Sequence, residues 1–132
     1  MSTGILIADD EPDVVELFQQ RFRHEVGDGT YRLHFASSGE GALTALSSGV
    51  DAQVMVVLSD INMPGMSGFE LLQQVKSKWP SLPVLLISAY ADEENRRRAT
   101  ECGADDFIAK PVDFATLKKR LSTLISVSAA AP

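Results

Sequence analysis

Several acidic and polar residues in this chain follow short apolar runs, so they stand where buried strands would end. In a parallel sheet the carboxyl ends of the strands share one edge, and ligands bind there. We therefore expect these side chains to meet in one pocket. They are Asp9, Asp10, Glu11, Asp60, Ser88 and Lys110.

The residue types in this set favour phosphoryl chemistry at a carboxylate. Clustered carboxylates repel one another, so they must take up protons or bind a cation. Because the ligands are oxygens, with no histidine or cysteine nearby in sequence, the expected cation is Mg²⁺, or Mn²⁺ in its place. An aspartate nucleophile, a cation, the Lys110 ammonium and the Ser88 hydroxyl are the parts needed to form and hold an aspartyl phosphate. Taken singly, each residue has a plainer structural role, such as a helix cap at Asp9 or Asp10.

The elements that must position these residues alternate along the chain. Five apolar or alternating runs predict strands, and apolar residues at i, i+4 spacing between them predict five amphipathic helices. The run from Tyr31 to Phe35 alternates apolar with polar residues, which indicates a strand at the sheet edge. The first helix should run from Pro12 to about Glu25, and Gly49 should end the second. Strict alternation predicts an α/β fold with a doubly wound parallel sheet.

The composition is that of a single globular domain. The chain has 132 residues, of which 45% are hydrophobic and 23% charged. A net charge of −6 argues against nonspecific nucleic-acid binding. The single cysteine, Cys102, excludes an internal disulfide and favours a reducing compartment. Because the sequence shows no signal peptide and no apolar stretch of membrane length, we expect a cytoplasmic protein without membrane contact.

Four motifs together resemble the receiver domain of two-component response regulators, including the chemotaxis regulators. They are IADDEP at 7–12, LSDINMPGMSGFELL at 58–72, LLISAYA at 85–91 and GADDFIAKPVD at 103–113. The resemblance extends from about Gly4 to Ile125. It implies one receiver domain over 1–125, with 126–132 as a tail or the start of an interdomain linker. It also implies a flavodoxin-like (βα)5 sandwich with the parallel strand order 2-1-3-4-5.

The resemblance implies a role for each residue at the sheet edge. Asp60 would be the phosphoacceptor, and Lys110 would contact the phosphoryl group. Asp10 would bind the metal directly and Asp9 mainly through water. Asn62 would give its backbone carbonyl to the same ion, with Asp60 as a further ligand.

The implied mechanism is Mg²⁺-dependent phosphoryl transfer to Asp60. The donor would be a histidine kinase, a histidine phosphotransfer protein or a small phosphodonor, so the chain would be a signalling switch rather than an enzyme. Ser88 would be the switch hydroxyl, and Phe107, which has no hydroxyl of its own, would take the aromatic switch position. Phosphorylation would then shift the populations of two existing conformations.

The implied readout surface is the fourth helix, fifth strand and fifth helix. It could contact an output domain, a downstream protein or a second copy of the chain. Its basic residues could equally form a solvated helix face. They are Arg96, Arg97, Arg98, Lys118, Lys119 and Arg120.

One position at the pocket rim bears on how long a phosphoaspartate would last. Tyr90 lies two residues after Ser88, where a large ring could shield the phosphoaspartate from the attacking water. Neither Tyr90 nor Asn62 offers a carboxylate to orient that water. We therefore expect slow autodephosphorylation.

Three other interpretations account for parts of the pattern. A haloacid-dehalogenase-type phosphatase uses similar residues, but its nucleophile follows the first strand in a DxD arrangement and it usually carries a cap. A flavodoxin-type electron carrier needs a Ser/Thr/Gly phosphate loop after the first strand, where this chain has three acids. A receiver-like module that binds partners without phosphorylation is the third alternative.

Overall fold

The computed structural model of the chain describes residues 3–48, 54–90 and 92–130, with side chains as far as 126. Five strands and six helices lie in these ranges. The strands are β1 (Thr3–Ala8), β2 (Tyr31–Ala36), β3 (Val54–Asp60), β4 (Val84–Ser88) and β5 (Asp106–Ala109). The helices are α1 (Pro12–Arg21), α2 (Arg23–Gly27), α3 (Gly39–Ser47), α4 (Gly68–Lys78), α5 (Glu93–Glu101) and α6 (Phe114–Ala130).

The five strands form one parallel sheet in the order β2-β1-β3-β4-β5. The predicted doubly wound, flavodoxin-like α/β fold is therefore confirmed, and β2 lies at the edge as its alternating pattern predicted. The register pairs Ala8 with Ser59 and Ser88 with Ala109. The residues that follow β1 and β5 consequently lie at the same edge as the ends of β3 and β4.

Helices cover both faces of this sheet, and each face has its own core. Leu6, Val57 and Leu86 belong to the core under α3, α4 and α5. Their strand neighbours, such as Ile5 and Leu58, belong to the opposite core under α1 and α6. Burial on both faces explains why these strands are continuous apolar runs in the sequence.

The prediction of a single first helix from Pro12 to about Glu25 is wrong, because the structure divides this segment into α1 and α2. Phe22 separates them, with φ −105° and ψ 14°. Its ring is completely buried, 5.7 Å from the Phe18 ring centroid and 6.1 Å from that of Phe114. The break allows the Phe22 ring to stay in this aromatic cluster while the chain turns toward β2.

The last helix extends beyond the domain boundary expected from the sequence. α6 continues to Ala130, past the predicted end at Ile125, so the segment 126–132 begins as helix. Its assignment as a tail or linker stays a prediction, and residues 131–132 and the predicted helix end at Gly49 lie outside the described residues. None of the helices in the described ranges combines the length and apolar character that a bilayer span requires.

The start of α4 is fixed against the backbone that carries Asp60. The Ser67 side chain accepts a hydrogen bond from the Glu70 amide, and the Glu70 carboxylate accepts one from the Ser67 amide. The Gly68 amide donates to the Ile61 carbonyl at 2.8 Å. A Cβ on Gly68 would overlap the Asp60 carbonyl oxygen and lie 2.7 Å from Ile61 Cα. Only a residue without a side chain therefore allows α4 to pack this closely.

We expect Gly68→Ala to lower the free energy of unfolding by about 1–3 kcal/mol, because the added methyl meets backbone atoms that cannot rotate away. Urea denaturation measures this loss of stability, provided that the dependence of the unfolding free energy on urea concentration has the same slope in the variant and the wild type. The matched control is Gly27→Ala, since a Cβ at Gly27 meets nothing within 4 Å. That control should be neutral or stabilising by about 0.5–1 kcal/mol. Equal midpoints for the two variants would contradict the packing argument.

Candidate functional site

Two carboxylates are buried side by side at the carboxyl edge of the sheet. Asp60 is the last residue of β3 and Asp9 directly follows β1, and their exposed fractions are 6% and 7%. Within the described ranges, no other charged side chain is buried. The Asn62 amide donates to Asp60 Oδ1 at 3.3 Å, and the Ile61 amide donates to the Ile87 carbonyl of β4 at 3.0 Å. The strand ends therefore hold these acids in fixed positions.

Lys110 brings a positive charge to both buried acids. Its Nζ lies 3.2 Å from Asp60 Oδ2 and 3.4 Å from Asp9 Oδ2. The Lys110 amide donates to the Ser88 carbonyl at 2.9 Å, which continues the β4–β5 pairing by one residue. The Lys110–Pro111 peptide bond is cis. The predicted convergence of Asp9, Asp60 and Lys110 is thus present.

The directions of the pKa shifts indicate that this one lysine does not fully offset the cost of burying two negative charges. Burial, and after it repulsion from the Asp60 carboxylate, raises the pKa of the Asp9 carboxyl above 3.8 despite the hydrogen bond from the Glu11 amide and the attraction of Lys110. Burial also disfavours the charge of Lys110, but the Asp60 and Asp9 carboxylates prevail and raise the pKa of the ammonium above 10.5. The lysine is therefore held firmly charged, while the ionised form of Asp9 stays costly.

Three carboxylates could share a metal ion at this edge. One oxygen each from Asp9, Glu11 and Asp60 lies within 4.8 Å of the other two. Asp10, which the resemblance gave the direct metal contact, is exposed and does not belong to this group. Glu11 was part of the predicted acidic triplet but received no role. Which of three consecutive acids faces the site depends on the turn, where the Glu11 amide donates to Asp9 Oδ1 at 2.9 Å.

The predicted switch hydroxyl lies one strand further along the edge. Ser88 is completely buried at the end of β4, and its Oγ accepts a hydrogen bond from the Tyr90 amide at 2.9 Å. The Tyr90 ring is 66% exposed, and the Asn95 side-chain amide donates to the Tyr90 carbonyl at 2.7 Å. Ser88 is thus connected through the β4–α5 loop to the first turns of α5.

The predicted aromatic switch residue, Phe107, is buried in β5 beneath α5. The guanidinium carbon of Arg96 lies 4.9 Å from the centroid of its ring, a cation–π arrangement. Basic residues predicted as either a solvated face or a partner surface therefore also contact the domain itself. Further contacts of this kind are Arg98 over the Phe69 ring at 4.3 Å and Arg120 with Asp106 at 2.6 Å.

This arrangement can support nucleophilic chemistry at Asp60. A cavity reaches its carboxylate and is also lined by Asp9, Glu11 and Lys110. The buried strand end fixes the position of the nucleophile, and the neighbouring charges can stabilise an anionic group that is transferred to it.

Comparison with known proteins identifies what the chain is similar to. The model of the response regulator receiver domain family matches residues 5–122. Response regulator SaeR of Staphylococcus aureus is 31% identical over 124 residues, which are 94% of this chain and 51% of SaeR. The chain thus spans about half the length of the curated relatives it matches.

Solved structures agree with this assignment. The response regulator TrrA of Thermotoga maritima, determined in complex with Mg²⁺ and BeF, is 30% identical with a TM-score of 0.76, and the match covers 92% of this chain and 98% of TrrA. The signal receiver domain of an HD domain-containing protein from Pseudomonas fluorescens, at 24% identity, has the same fold. Its TM-score is 0.86, and the match covers 99% of this chain and 100% of that domain. With the family model matching most of its length, the chain belongs to the response regulator receiver domains of two-component signalling.

Proposed function

We propose that Asp60 accepts a phosphoryl group from the phosphohistidine of a histidine kinase or histidine phosphotransfer protein, or from a small phosphodonor. The observation that carries the proposal is the position of Asp60. It is a buried carboxylate on a rigid strand end, 3.2 Å from a lysine ammonium and within 4.8 Å of two further carboxylates. A buried carboxylate that shares its one lysine with a second acid is a candidate nucleophile.

The donor set fits a magnesium ion. Oxygen atoms of Asp9, Glu11 and Asp60 are the hard ligands that Mg²⁺ prefers, and the repulsion among them favours a divalent cation. The Asn62 carbonyl, and Asp10 after a change in the exposed turn, are further ligands by resemblance. When bound, the ion would neutralise the charge that gathers on the phosphoryl oxygens.

The chain's own residues would carry the transfer as follows. An Asp60 carboxylate oxygen forms a bond to phosphorus, the bond from phosphorus to the donor's histidine nitrogen breaks, and the electron pair leaves on that nitrogen. Lys110 stays charged throughout, because its pKa is raised, and pairs with a phosphoryl oxygen. The Ser88 hydroxyl would exchange its contact with the Tyr90 amide for one to the phosphoryl group.

That exchange would carry the signal to the surface formed by α5, β5 and α6. Movement of the Ser88–Tyr90 loop would shift α5 through Asn95, and with it the Arg96 guanidinium that covers Phe107. The resulting change in the α5–β5–α6 surface would control an output domain, a downstream protein or association with a second copy. We propose this as a cytoplasmic switch, with residues 126–132 as a tail or linker toward an output domain.

The second candidate function is a partner-binding module that works without phosphorylation. The position of Asp10, the resemblance-based direct metal ligand, outside the group of clustered carboxylates is the observation that favours it. It requires that Asp60 form no phosphoryl adduct.

We expect acetyl phosphate with Mg²⁺ to give one hydroxylamine-labile phosphoryl adduct by intact-mass spectrometry, and Asp60→Asn to abolish it. Asp13→Asn is the matched control, because Asp13 is an exposed acid on α1 outside the carboxylate group. That variant should be labelled like the wild type. If a folded wild type forms no adduct and binds no beryllium fluoride, the module without phosphorylation is the better description.

We expect Asp9→Asn to weaken Mg²⁺ binding by about 10–100-fold while stabilising the metal-free protein. The stabilisation follows because the raised pKa means that the folded protein binds protons more tightly at Asp9 than the unfolded chain does. The wild type therefore loses stability relative to Asp9→Asn as pH rises from 3.8 through the raised value. Lys110 keeps Asp60 as its partner in this variant.

Thermal unfolding in chelator and in Mg²⁺, at about pH 4 and about pH 7, measures both effects. The advantage of Asp9→Asn in chelator should be larger at the higher pH, and Mg²⁺ should reverse the order of the two proteins. An Asp9→Asn protein that is less stable than the wild type in chelator at neutral pH would contradict this account of the site.

Tyr90→Ala should speed autodephosphorylation severalfold, since it removes the ring proposed to shield the phosphoaspartate from water. Loss of the phosphoryl adduct after removal of the donor, followed by intact mass, gives the rate. Tyr90→Phe keeps the ring without its hydroxyl and should decay like the wild type. Should the alanine variant also decay at the wild-type rate, shielding by Tyr90 is excluded.

A further inference from the structure

A groove leads away from Asp60 between α1 and the segment that joins β5 to α6. Its volume is about 340 Å³, which is in the range of small-ligand sites. One wall is apolar, and Leu17 on that wall is 38% exposed, which is unusual for a large aliphatic side chain in this domain. The apolar wall consists of Val14, Leu17, Phe18, Val112 and Phe114.

The other end of the same groove is the polar site. Asp9, Glu11, Asp60 and Lys110 line it together with the apolar wall, so a ligand that fills the groove has one end at the Asp60 carboxylate. Arg21 also lines the groove, with its guanidinium carbon 5.5 Å from the Phe114 ring centroid. A divalent cation at the carboxylates would change the net charge of the lining from negative to positive. The groove is then complementary to a ligand with an anionic head and an apolar body.

We propose that this groove binds the acyl group of small acyl phosphate donors, and that the chain prefers donors with longer aliphatic or aromatic acyl groups to acetyl phosphate. The inference rests on the proposed function, because it assigns a substrate class to the same Asp60. The phosphoryl group would lie at Asp60 and Lys110, and the acyl chain would cover the apolar wall. Burial of the accessible part of that wall, formed by Val14, Leu17 and Val112, and of the acyl carbons would tighten donor binding.

Apart from the Mg²⁺ ion, the transfer needs only the chain and the donor. An Asp60 oxygen bonds to phosphorus, the bond between phosphorus and the acyl oxygen breaks, and the electron pair leaves on that oxygen. The products are the aspartyl phosphate and a carboxylate anion, and no proton has to move. The new carboxylate lies next to the anionic phosphoryl group, and the repulsion between the two negative charges favours its release.

A homologous series of donors tests the proposal. The full chain with Mg²⁺ is treated with acetyl, butyryl and hexanoyl phosphate and with benzoyl phosphate, and adduct formation is followed by intact mass. At donor concentrations well below saturation, each added methylene should raise the rate constant of adduct formation by about twofold to threefold, because part of the methylene surface is buried in the groove. Rates of donor hydrolysis in buffer correct for differences in intrinsic reactivity.

Variants of the wall show where the preference comes from. Leu17→Asp, or Leu17→Gln if the charge impairs folding, should reduce the ratio of hexanoyl to acetyl phosphate rates toward one. Val26→Asp is the matched control, because Val26 is an exposed aliphatic residue, 45% accessible, on α2 outside the groove. It should keep the wild-type ratio.

The outcomes separate this inference from the proposed function. If Asp60 is labelled by every donor at equal corrected rates, the groove does not bind the acyl group, but Asp60 is still the phosphoacceptor. The apolar wall would then be assigned to side chains of a protein partner. A preference that persists in the Leu17 variants would also overturn the assignment. No adduct from any donor would overturn both proposals.

Discussion

The structure depends on the electrostatic imbalance at the carboxyl edge of its sheet. Two buried carboxylates, Asp9 and Asp60, share one lysine, and a third acid, Glu11, lies within 4.8 Å. Replacing such a group by apolar residues would generally stabilise a fold. The parallel strands and the close packing of α4 at Gly68 hold the acids in place despite that cost. That cost would be relieved by a cation bound at these carboxylates, as the proposed function requires.

The sequence predicted the sheet and the residues at its carboxyl edge because both follow from local patterns. A strand that is buried on both faces must be an apolar run, and a polar residue that ends such a run marks the carboxyl edge. This pattern places Asp60, Ser88 and Lys110 at strand ends, and the sheet makes those three strands neighbours. The alternation of β2 likewise predicted an edge strand, which the sheet order confirms.

Features that depend on distant contacts were not predictable in the same way. The break at Phe22 follows from an aromatic cluster that includes Phe114, a partner far away in sequence. That a carboxylate oxygen of Glu11, and not of Asp10, lies near those of Asp9 and Asp60 depends on the turn after β1, in which the Glu11 amide donates to Asp9. Arg96 is one of three adjacent arginines, and nothing in the charge pattern shows that it covers the Phe107 ring.

The coupling between site and surface can be followed along β4 and β5. Lys110 contacts Asp60 through its ammonium and Ser88 through its backbone amide. Phe107, three residues earlier in the chain, packs beneath α5 on the opposite face of the sheet. Because Phe107 has no hydroxyl, it cannot respond to Ser88 through a hydrogen bond. Its orientation can change only through packing and through the Arg96 contact. The proposed switch would therefore act on Phe107 by moving α5. The Tyr90 amide donates to Ser88 and the Asn95 side chain donates to the Tyr90 carbonyl, and these hydrogen bonds connect Ser88 to that helix.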